Sequence, residues 1–209
     1  INVDGFSTGT KLYYNSVKLS GTHPGYTSTG GASAALFINA TGGSLDIQNN
    51  ALDNSYDNSS SANDKSYAVY STAASGSGFL FIDHNDYFAV APTGVLGSLN
   101  ATDVTTIAAW RTATGQDAHS IAANPLFATA TDLRPATGSP LVNAGKTISV
   151  TTDITGFTRS VTTPTIGAYE QAGDLSGPTI AYTLLSNSLC LTDVTLSPVT
   201  ITDAGGVNV

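Results

Sequence analysis

The feature that most restricts the fold of this chain is a weak repetition in its first ninety residues. Three segments each have the pattern strand, asparagine corner, strand, and taking Asn15, Asn49 and Asn85 as equivalent gives spacings of 34 and 36 residues. Short strands that turn at polar corners with a constant period can stack in parallel around one apolar interior. Asparagine suits such corners because its amide donates and accepts hydrogen bonds and because it tolerates left-handed backbone. We therefore expect a parallel β-solenoid of about three coils, with an irregular β-sandwich as the alternative.

The composition favours an all-β protein. Thr, Ser and Asn supply 67 of the 209 residues, and 21 Gly and 8 Pro add to them. Hydroxyl and amide side chains compete for backbone hydrogen bonds, and β-branched residues prefer strands. The formal net charge of -8 has the wrong sign for binding a phosphate backbone, so nucleic acid is not an expected partner. No long apolar run occurs, so membrane insertion is not expected either.

The repetition stops after residue 95, and the remainder divides into two parts. Residues 103–114 have the pattern of a helix, with Thr102 or Asp103 as its N-cap and Trp110 on its apolar face. A terminal coil exposes an apolar end, which a helix carrying Trp110 would cover. We therefore expect coils over 1–95, a C-terminal cap over 96–172, and a linker with truncated strands over 173–209.

Several short motifs follow one another in the second half of the chain. They are WRTATGQDAHSI at 110–121, NPLF at 124–127, GSPLVNAG at 138–145, DITGFTR at 153–159 and IGAYE at 166–170. Together they resemble the closing segment of right-handed parallel β-helix proteins that Bacteroidetes secrete. The chain departs from the family at Asn143 and Thr165, where the family usually carries Asp.

The tail from Gly177 to Val207 is similar to the first strands of an immunoglobulin-like domain, with strands expected at 179–182, 194–196 and 199–201. Both resemblances imply a large, modular, secreted or cell-surface protein, built here as a right-handed parallel β-helix with a capping helix. They imply no single activity, because such scaffolds carry lyases, hydrolases, adhesins and inert stalks.

The densest group of chemically active side chains is the segment 83–87. Asp83, His84 and Asp86 are the candidate catalytic residues, because paired carboxylates or a carboxylate with an imidazole can transfer protons. Neighbouring residues of a strand point to opposite faces, however, so the three side chains do not all converge. The corner at Asn85 explains the segment without chemistry, and His119 has no acid or cysteine partner in a recognisable pattern, so we expect it to be a loop or cap residue.

Two further groups are candidates for ligand binding. The acidic loop residues are suited to calcium, which prefers oxygen ligands, although an EF-hand pattern is absent and a solvated loop is the alternative. The tyrosines of the first ninety residues offer aromatic faces to a sugar, with stacking along the solenoid as the alternative. The calcium candidates are Asp53, Asp57 and Asp64, and the sugar candidates are Tyr56, Tyr67 and Tyr87.

Three charged residues of the expected cap form a structural hypothesis. Arg159 has a planar guanidinium that can bridge two carboxylates, and we expect it to pair with Asp153 and Glu170. The network would stabilise the cap and have no part in ligand binding.

The sequence thus favours a non-catalytic module of an extracellular or cell-surface protein, adhesive or structural, that contacts polysaccharide or a cell-surface glycan. No cofactor is expected apart from calcium. A polysaccharide lyase or glycoside hydrolase is the first alternative. The second is a filament or stalk subunit that self-assembles through its C-terminal strands by edge pairing.

Overall fold

The computed structural model describes residues 1–5, 9–23, 31–39, 44–59, 64–90, 92–171, 179–181 and 200–202. The chain divides into two compact units, Ile1–Ala172 and Gly173–Val209. Described strands of the first unit belong to three sheets, followed by one short helix and a long segment of turns and loops.

The first sheet contains five strands and mixes parallel with antiparallel pairing. Its spatial order is β1-β4-β7-β10-β11, where β1 is Asn2–Asp4, β4 is Ala32–Asn39, β7 is Lys65–Ser71, β10 is Gly94–Leu99 and β11 is Thr102–Val104. The first three pairings are parallel, whereas β10 and β11 form an antiparallel hairpin.

Two smaller sheets are fully parallel. The second sheet joins β2 (Lys11–Tyr13), β5 (Leu45–Gln48) and β8 (Phe79–Asp83), and the third joins β3 (Ser16–Thr22), β6 (Ala51–Asp57) and β9 (Asp86–Ala89). In the third sheet Ser16 lies opposite Ala51, and Ala51 lies opposite Asp86, so partners are 35 residues apart in sequence.

These sheets overturn the expected fold class. The chain does not form the single right-handed parallel β-helix that we expected, because the described strands of its first unit divide among three small sheets, one of them mixed, with a short α-helix after them. The antiparallel pairing arises at Asn100 and Ala101, which adopt φ values of 50° and 58° and reverse the chain between Leu99 and Thr102. Two consecutive left-handed residues are the signature of a tight hairpin turn, and the Asn-Ala pair here lacks the glycine that usually announces one.

The main core lies between the three sheets. Its fully buried side chains include Leu36 and Ile38 of β4, Ile47 of β5 and Leu52 of β6. A second, smaller cluster of Ala51, Leu141 and Ile166 shows that the loop segment after the helix packs on the third sheet.

The one α-helix among the described residues, α1, spans Ile107–Thr114 and begins four residues later than expected, and a single 3₁₀ turn, Gly76–Gly78, precedes β8. Its N-cap is Thr106, whose hydroxyl accepts the Ala109 N–H at 3.2 Å, while Thr102 and Asp103 belong to β11. Trp110 is fully buried. A side chain at Gly97 would lie 2.9 Å from the Trp110 ring, so the close approach of helix and sheet requires glycine there.

The second unit is described over two strands, β12 (Thr179–Ala181) and β13 (Thr200–Thr202), which pair antiparallel. They coincide with two of the three expected strands, and the third, at 194–196, lies outside the described residues. The immunoglobulin-like assignment and self-assembly through this tail stay predictions. No helix among the described residues is long and apolar enough to cross a membrane.

Candidate functional site

A ladder of corner side chains links successive strands of the second and third sheets. Asn15 donates from its backbone and its amide to Asn50 Oδ1, and Asn50 donates in the same way to Asn85 Oδ1, at distances of 2.8–3.0 Å. The Asn85 N–H donates to Ser120 Oγ at 2.7 Å, so the ladder continues 35 residues further along the chain. The expected middle member, Asn49, is therefore wrong by one residue, because Asn50 occupies the equivalent position.

The residue before each asparagine of the ladder has left-handed backbone. Tyr14, Asn49 and His84 have φ values of 54°, 59° and 55°. Asn49 instead holds a distant loop, since its Oδ1 accepts the Lys146 N–H and its Nδ2 donates to the Lys146 carbonyl, both at 2.8 Å. His119 precedes Ser120 as His84 precedes Asn85, and the two imidazole rings stack with centroids 4.7 Å apart.

Asp83, His84 and His119 form one cluster, the histidine–aspartate site. The Asp83 Oδ2 atom lies 2.8 Å from His119 Nδ1 and 3.2 Å from His84 Nδ1. One possible ligand atom from each of the three residues lies within 4.8 Å of the others. The Asp83 and His84 side chains are 10% and 16% exposed, whereas His119 is 67% exposed, so the site is open to solvent on one side.

Hydrogen bonds fix the carboxylate of this site. Asp83 Oδ1 accepts the N–H groups of His84 at 3.0 Å and His119 at 2.8 Å. Burial would raise the pKa of Asp83, but the hydrogen bonds from His119 and the two backbone groups outweigh burial and keep that pKa below its ordinary value. Burial lowers the pKa of His84, an effect that the nearby Lys146 ammonium reinforces and the Asp83 carboxylate opposes.

The expected catalytic group is only partly assembled. Asp83 and His84 share a site, but Asp86 is fully buried elsewhere. Its Oδ1 accepts the Ala123 N–H at 3.0 Å, and its Oδ2 has no hydrogen-bond partner in the part of the chain that the structure describes. Burial raises the pKa of Asp86 to about 8, against the Ala123 hydrogen bond, with a smaller contribution from Asp53. His119 lies in a turn after α1, as expected of a loop or cap residue, but the expectation that it lacks an acidic partner was wrong, because it contacts Asp83. Its spacing of 35 residues from His84 is the signal that could have identified it.

The three expected calcium ligands do not form a common site. Asp53 is fully buried and pairs with Lys18 at 2.5 Å, and Asp64 Oδ1 accepts the Gly31 N–H at 2.6 Å. Asp57 accepts the N–H of Ser59. Within the described part of the chain, the group of three metal-binding side chains is the histidine–aspartate site instead.

Two of the expected sugar-binding tyrosines are buried. Tyr87 is 1% exposed and donates its hydroxyl to Asp117 Oδ2 at 2.6 Å, and Tyr67 is 5% exposed and donates to Asp103 at 2.9 Å. Neither ring presents a face to solvent, which corrects that part of the prediction. Tyr56 is half-buried and meets the His23 ring edge-on, with centroids 6.5 Å apart.

The first sheet instead carries a partly exposed pair of aromatic rings. Phe37 and Tyr70 are register partners on β4 and β7 and stack with centroids 5.5 Å apart and an interplanar angle of 20°. They line a shallow surface depression, which we call the aromatic patch, together with Ala32, Ser33, Ala34 and Thr72. Sequence reasoning missed Phe37, and it included Tyr70 only among the tyrosines of the first ninety residues without choosing it as a candidate. Both residues stand at outward-facing positions beside buried strand neighbours.

The expected charge network is present in a different form. Arg159 Nη1 pairs with Glu170 at 3.2 Å, and both side chains are almost completely buried. Asp153 does not contact Arg159, because its two oxygens accept the N–H groups of Thr155, Phe157 and Glu170. The Arg159 guanidinium also lies 3.7 Å from the centre of the Tyr14 ring, which ties the loop segment to the corner between β2 and β3.

Comparisons with protein families, with curated proteins and with solved structures find no match to this chain. The resemblance to secreted Bacteroidetes modules therefore stays a prediction from sequence, and the arguments for function rest on the geometry of the described residues.

Proposed function

We propose that this chain is a non-catalytic module of a large secreted or cell-surface protein, with an adhesive or structural role, that contacts polysaccharide through the aromatic patch. The observation that carries the proposal is the stacked pair of Phe37 and Tyr70 on the first sheet. The extracellular setting rests on the sequence resemblance and on the hydroxyl-rich, charge-poor composition.

The chemistry of the aromatic patch suits a sugar. An aromatic ring binds the C–H face of a pyranose, and small neighbours such as Ala32 and Ala34 leave room for the ring to approach. Tyr70 Oη makes no hydrogen bond with the described part of the chain, and it can bond a sugar hydroxyl. The two rings are held by parallel β-strands, so the patch is fixed before binding and little conformational entropy is lost.

The test is the affinity of the protein for soluble neutral glucan, mannan and xylan, measured by calorimetry. We expect Tyr70→Ala and Phe37→Ala to weaken binding about 2- to 10-fold each, with no loss of folded structure. The matched control is Phe157→Ala, which removes a 55% exposed ring from the loop segment and should leave affinity unchanged. Equal effects of all three substitutions, or no binding by the native protein, would refute the aromatic patch as the sugar site.

A polysaccharide lyase or glycoside hydrolase is the second candidate, and one observation favours it. The 2.8 Å contact between Asp83 and His119 Nδ1 orients an imidazole whose ring is 67% exposed, so His119 Nε2 can exchange protons with a substrate. The same polysaccharides should be assayed for new reducing ends and for unsaturated uronate products. Cleavage that is lost in His119→Ala would establish the enzyme, whereas binding without cleavage supports the non-catalytic module.

A further inference from the structure

We propose that the histidine–aspartate site binds one transition-metal ion, with Asp83, His84 and His119 as its protein ligands and Zn²⁺ as the best-suited ion. This site is separate from the aromatic patch and differs in position and chemistry from the calcium loop expected from sequence. The proposal does not depend on the proposed carbohydrate function.

The donor set matches the preferences of Zn²⁺. Two imidazole nitrogens and one carboxylate oxygen are ordinary zinc ligands, with bonds of about 2.0–2.2 Å. In a tetrahedral arrangement such ligand atoms lie roughly 3.3–3.5 Å apart. The Asp83 oxygen already lies 3.2 Å from one imidazole nitrogen and 2.8 Å from the other, close to this spacing, and the three ligand atoms all lie within 4.8 Å of one another. Calcium is disfavoured because it takes 6–8 oxygen ligands.

An unsatisfied nitrogen gives independent support. His84 Nδ1 is buried and has no hydrogen-bond partner among the described residues, although it lies 3.2 Å from Asp83 Oδ2. The 3.2 Å distance is short enough for a hydrogen bond, but the two groups are not aligned as a hydrogen bond requires. The lone pair or proton of His84 Nδ1 therefore has no hydrogen bond to replace the one it would make with water. A buried polar atom without a partner costs free energy, and an ion between the two residues removes that cost.

Backbone hydrogen bonds around the site orient the ligand side chains. The backbone N–H groups of His84 and His119 both donate to Asp83 Oδ1, which leaves Asp83 Oδ2 directed at the two imidazole rings. The corner ladder holds the two histidines in register. Asn85 follows His84, Ser120 follows His119, and the Asn85 N–H donates to Ser120 Oγ. Such supporting hydrogen bonds fix ligand orientation in metal sites. Three protein ligands and one exposed side leave a coordination position for water.

The charges around the site set the affinity. Asp83 attracts a cation, and Lys146, whose ammonium lies 4.6 Å from the Phe81 ring centre, places a positive charge near His84 and opposes it. Removing that charge should strengthen metal binding. The substitution Lys146→Gln therefore has an expected effect opposite in sign to the loss of a ligand, which separates metal binding from general destabilisation.

The experiment is a calorimetric titration of the native chain with ZnCl₂, repeated with CoCl₂ while the visible absorption of Co²⁺ is recorded. We expect one equivalent to bind, with the intense visible band of four-coordinate Co²⁺ and without competition from excess Ca²⁺. His119→Ala should weaken binding at least about tenfold, and because this side chain is exposed the variant should fold. Lys146→Gln should bind more tightly.

The matched control is His23→Ala, since His23 is the remaining histidine of the chain. This variant should bind Zn²⁺ within about twofold of the native protein, because His23 is not a member of the site. No binding by the native chain, equal binding by the native chain and His119→Ala, or equal losses in the two histidine variants would overturn the proposal.

Discussion

Asn50 Oδ1 accepts two hydrogen bonds from Asn15, one from the backbone N–H at 3.0 Å and one from Nδ2 at 2.8 Å. Asn50 then donates through its own N–H and Nδ2 to Asn85 Oδ1 at 3.0 and 2.9 Å. Asn50 thereby accepts hydrogen bonds from the preceding corner at Asn15 and donates hydrogen bonds to the following corner at Asn85. Because Asn50 and Asn85 are almost fully buried, water cannot replace these bonds.

Asn50→Ala should destabilise the protein by about 3 kcal/mol, because several buried donors and acceptors lose their partner together. For a chain of this size that loss lowers the melting temperature by roughly 6–12 °C. Calorimetry or circular dichroism measures the change. Asn39→Ala is the control, since the Asn39 amide makes an exposed contact with Asp4. Comparable losses in both variants would contradict the ladder's role in stability.

The ladder also shows how far sequence reasoning reached. Asparagine corners were predicted from composition and spacing, but Asn49 was the wrong middle member. Asn50 lies 35 residues from both Asn15 and Asn85, so a strictly constant period favours it over Asn49. The expected end of the repetition at residue 95 hides the roles of Ser120 and His119, because strands continue to Val104 and the corner ladder continues to Ser120.

The fold class failed for a different reason. The antiparallel turn depends on the left-handed backbone of Asn100 and Ala101, and alanine gives no sequence signal for that conformation. Arg159 was correctly predicted to pair with Glu170, but the backbone donors that satisfy Asp153 come from its own loop and from residue 170. Such contacts depend on tertiary packing, which local sequence does not specify.

Arg159→Ala should cost about 3–5 kcal/mol, because it leaves Glu170 buried without its charge partner. It also removes hydrogen bonds to the carbonyls of Gly167 and Ala168. The unfolding free energy in guanidinium chloride measures the loss. Arg134→Ala is the matched control, because that arginine pairs with Asp132 at the surface and is 67% exposed, so its removal should change little. An Arg159 variant as stable as the Arg134 variant would show that the buried pair contributes nothing.

Asp86 makes stability fall as the pH rises. Its pKa is about 8 in the folded protein and 3.8 in the unfolded reference, so the folded state retains a proton that the unfolded state has lost between these values. The destabilisation by Asp86 is absent below about pH 4, where the carboxyl is protonated in both the folded and the unfolded state, and it is complete above about pH 8. In between, the group lowers the unfolding free energy by about 1.4 kcal/mol per pH unit.

Asp86→Asn should remove that slope, because the amide cannot ionise and its oxygen can still accept the Ala123 N–H. Denaturant titrations at pH 5, 6 and 7 compare the variant with the native protein. Asp132→Asn serves as the control. Hydrogen bonds from Arg134 lower the pKa of this exposed carboxyl, so its contribution to the unfolding free energy is lost only as the pH falls. Parallel pH profiles for the native protein and Asp86→Asn would contradict the raised pKa.

Tyr87→Phe separates a structural tyrosine from a ligand-binding one. The Tyr87 hydroxyl donates to Asp117 Oδ2, which also accepts the Trp110 indole N–H, both at 2.6 Å. Removing the hydroxyl leaves the ring packed and costs about 1–2 kcal/mol, because Asp117 is buried and loses one donor. Polysaccharide affinity should stay unchanged, since the ring is 1% exposed.

Thermal unfolding and calorimetric binding should therefore respond in opposite ways to Tyr87→Phe and Tyr70→Ala. The first substitution lowers the melting temperature and spares binding, because it acts on the buried contact with Asp117. The second weakens binding with a smaller effect on stability, because the Tyr70 ring lies partly exposed on the first sheet. Weakened binding in Tyr87→Phe at an unchanged melting temperature would place a ligand against a ring that is enclosed by the core, and would refute the assignment of the sugar site to the aromatic patch.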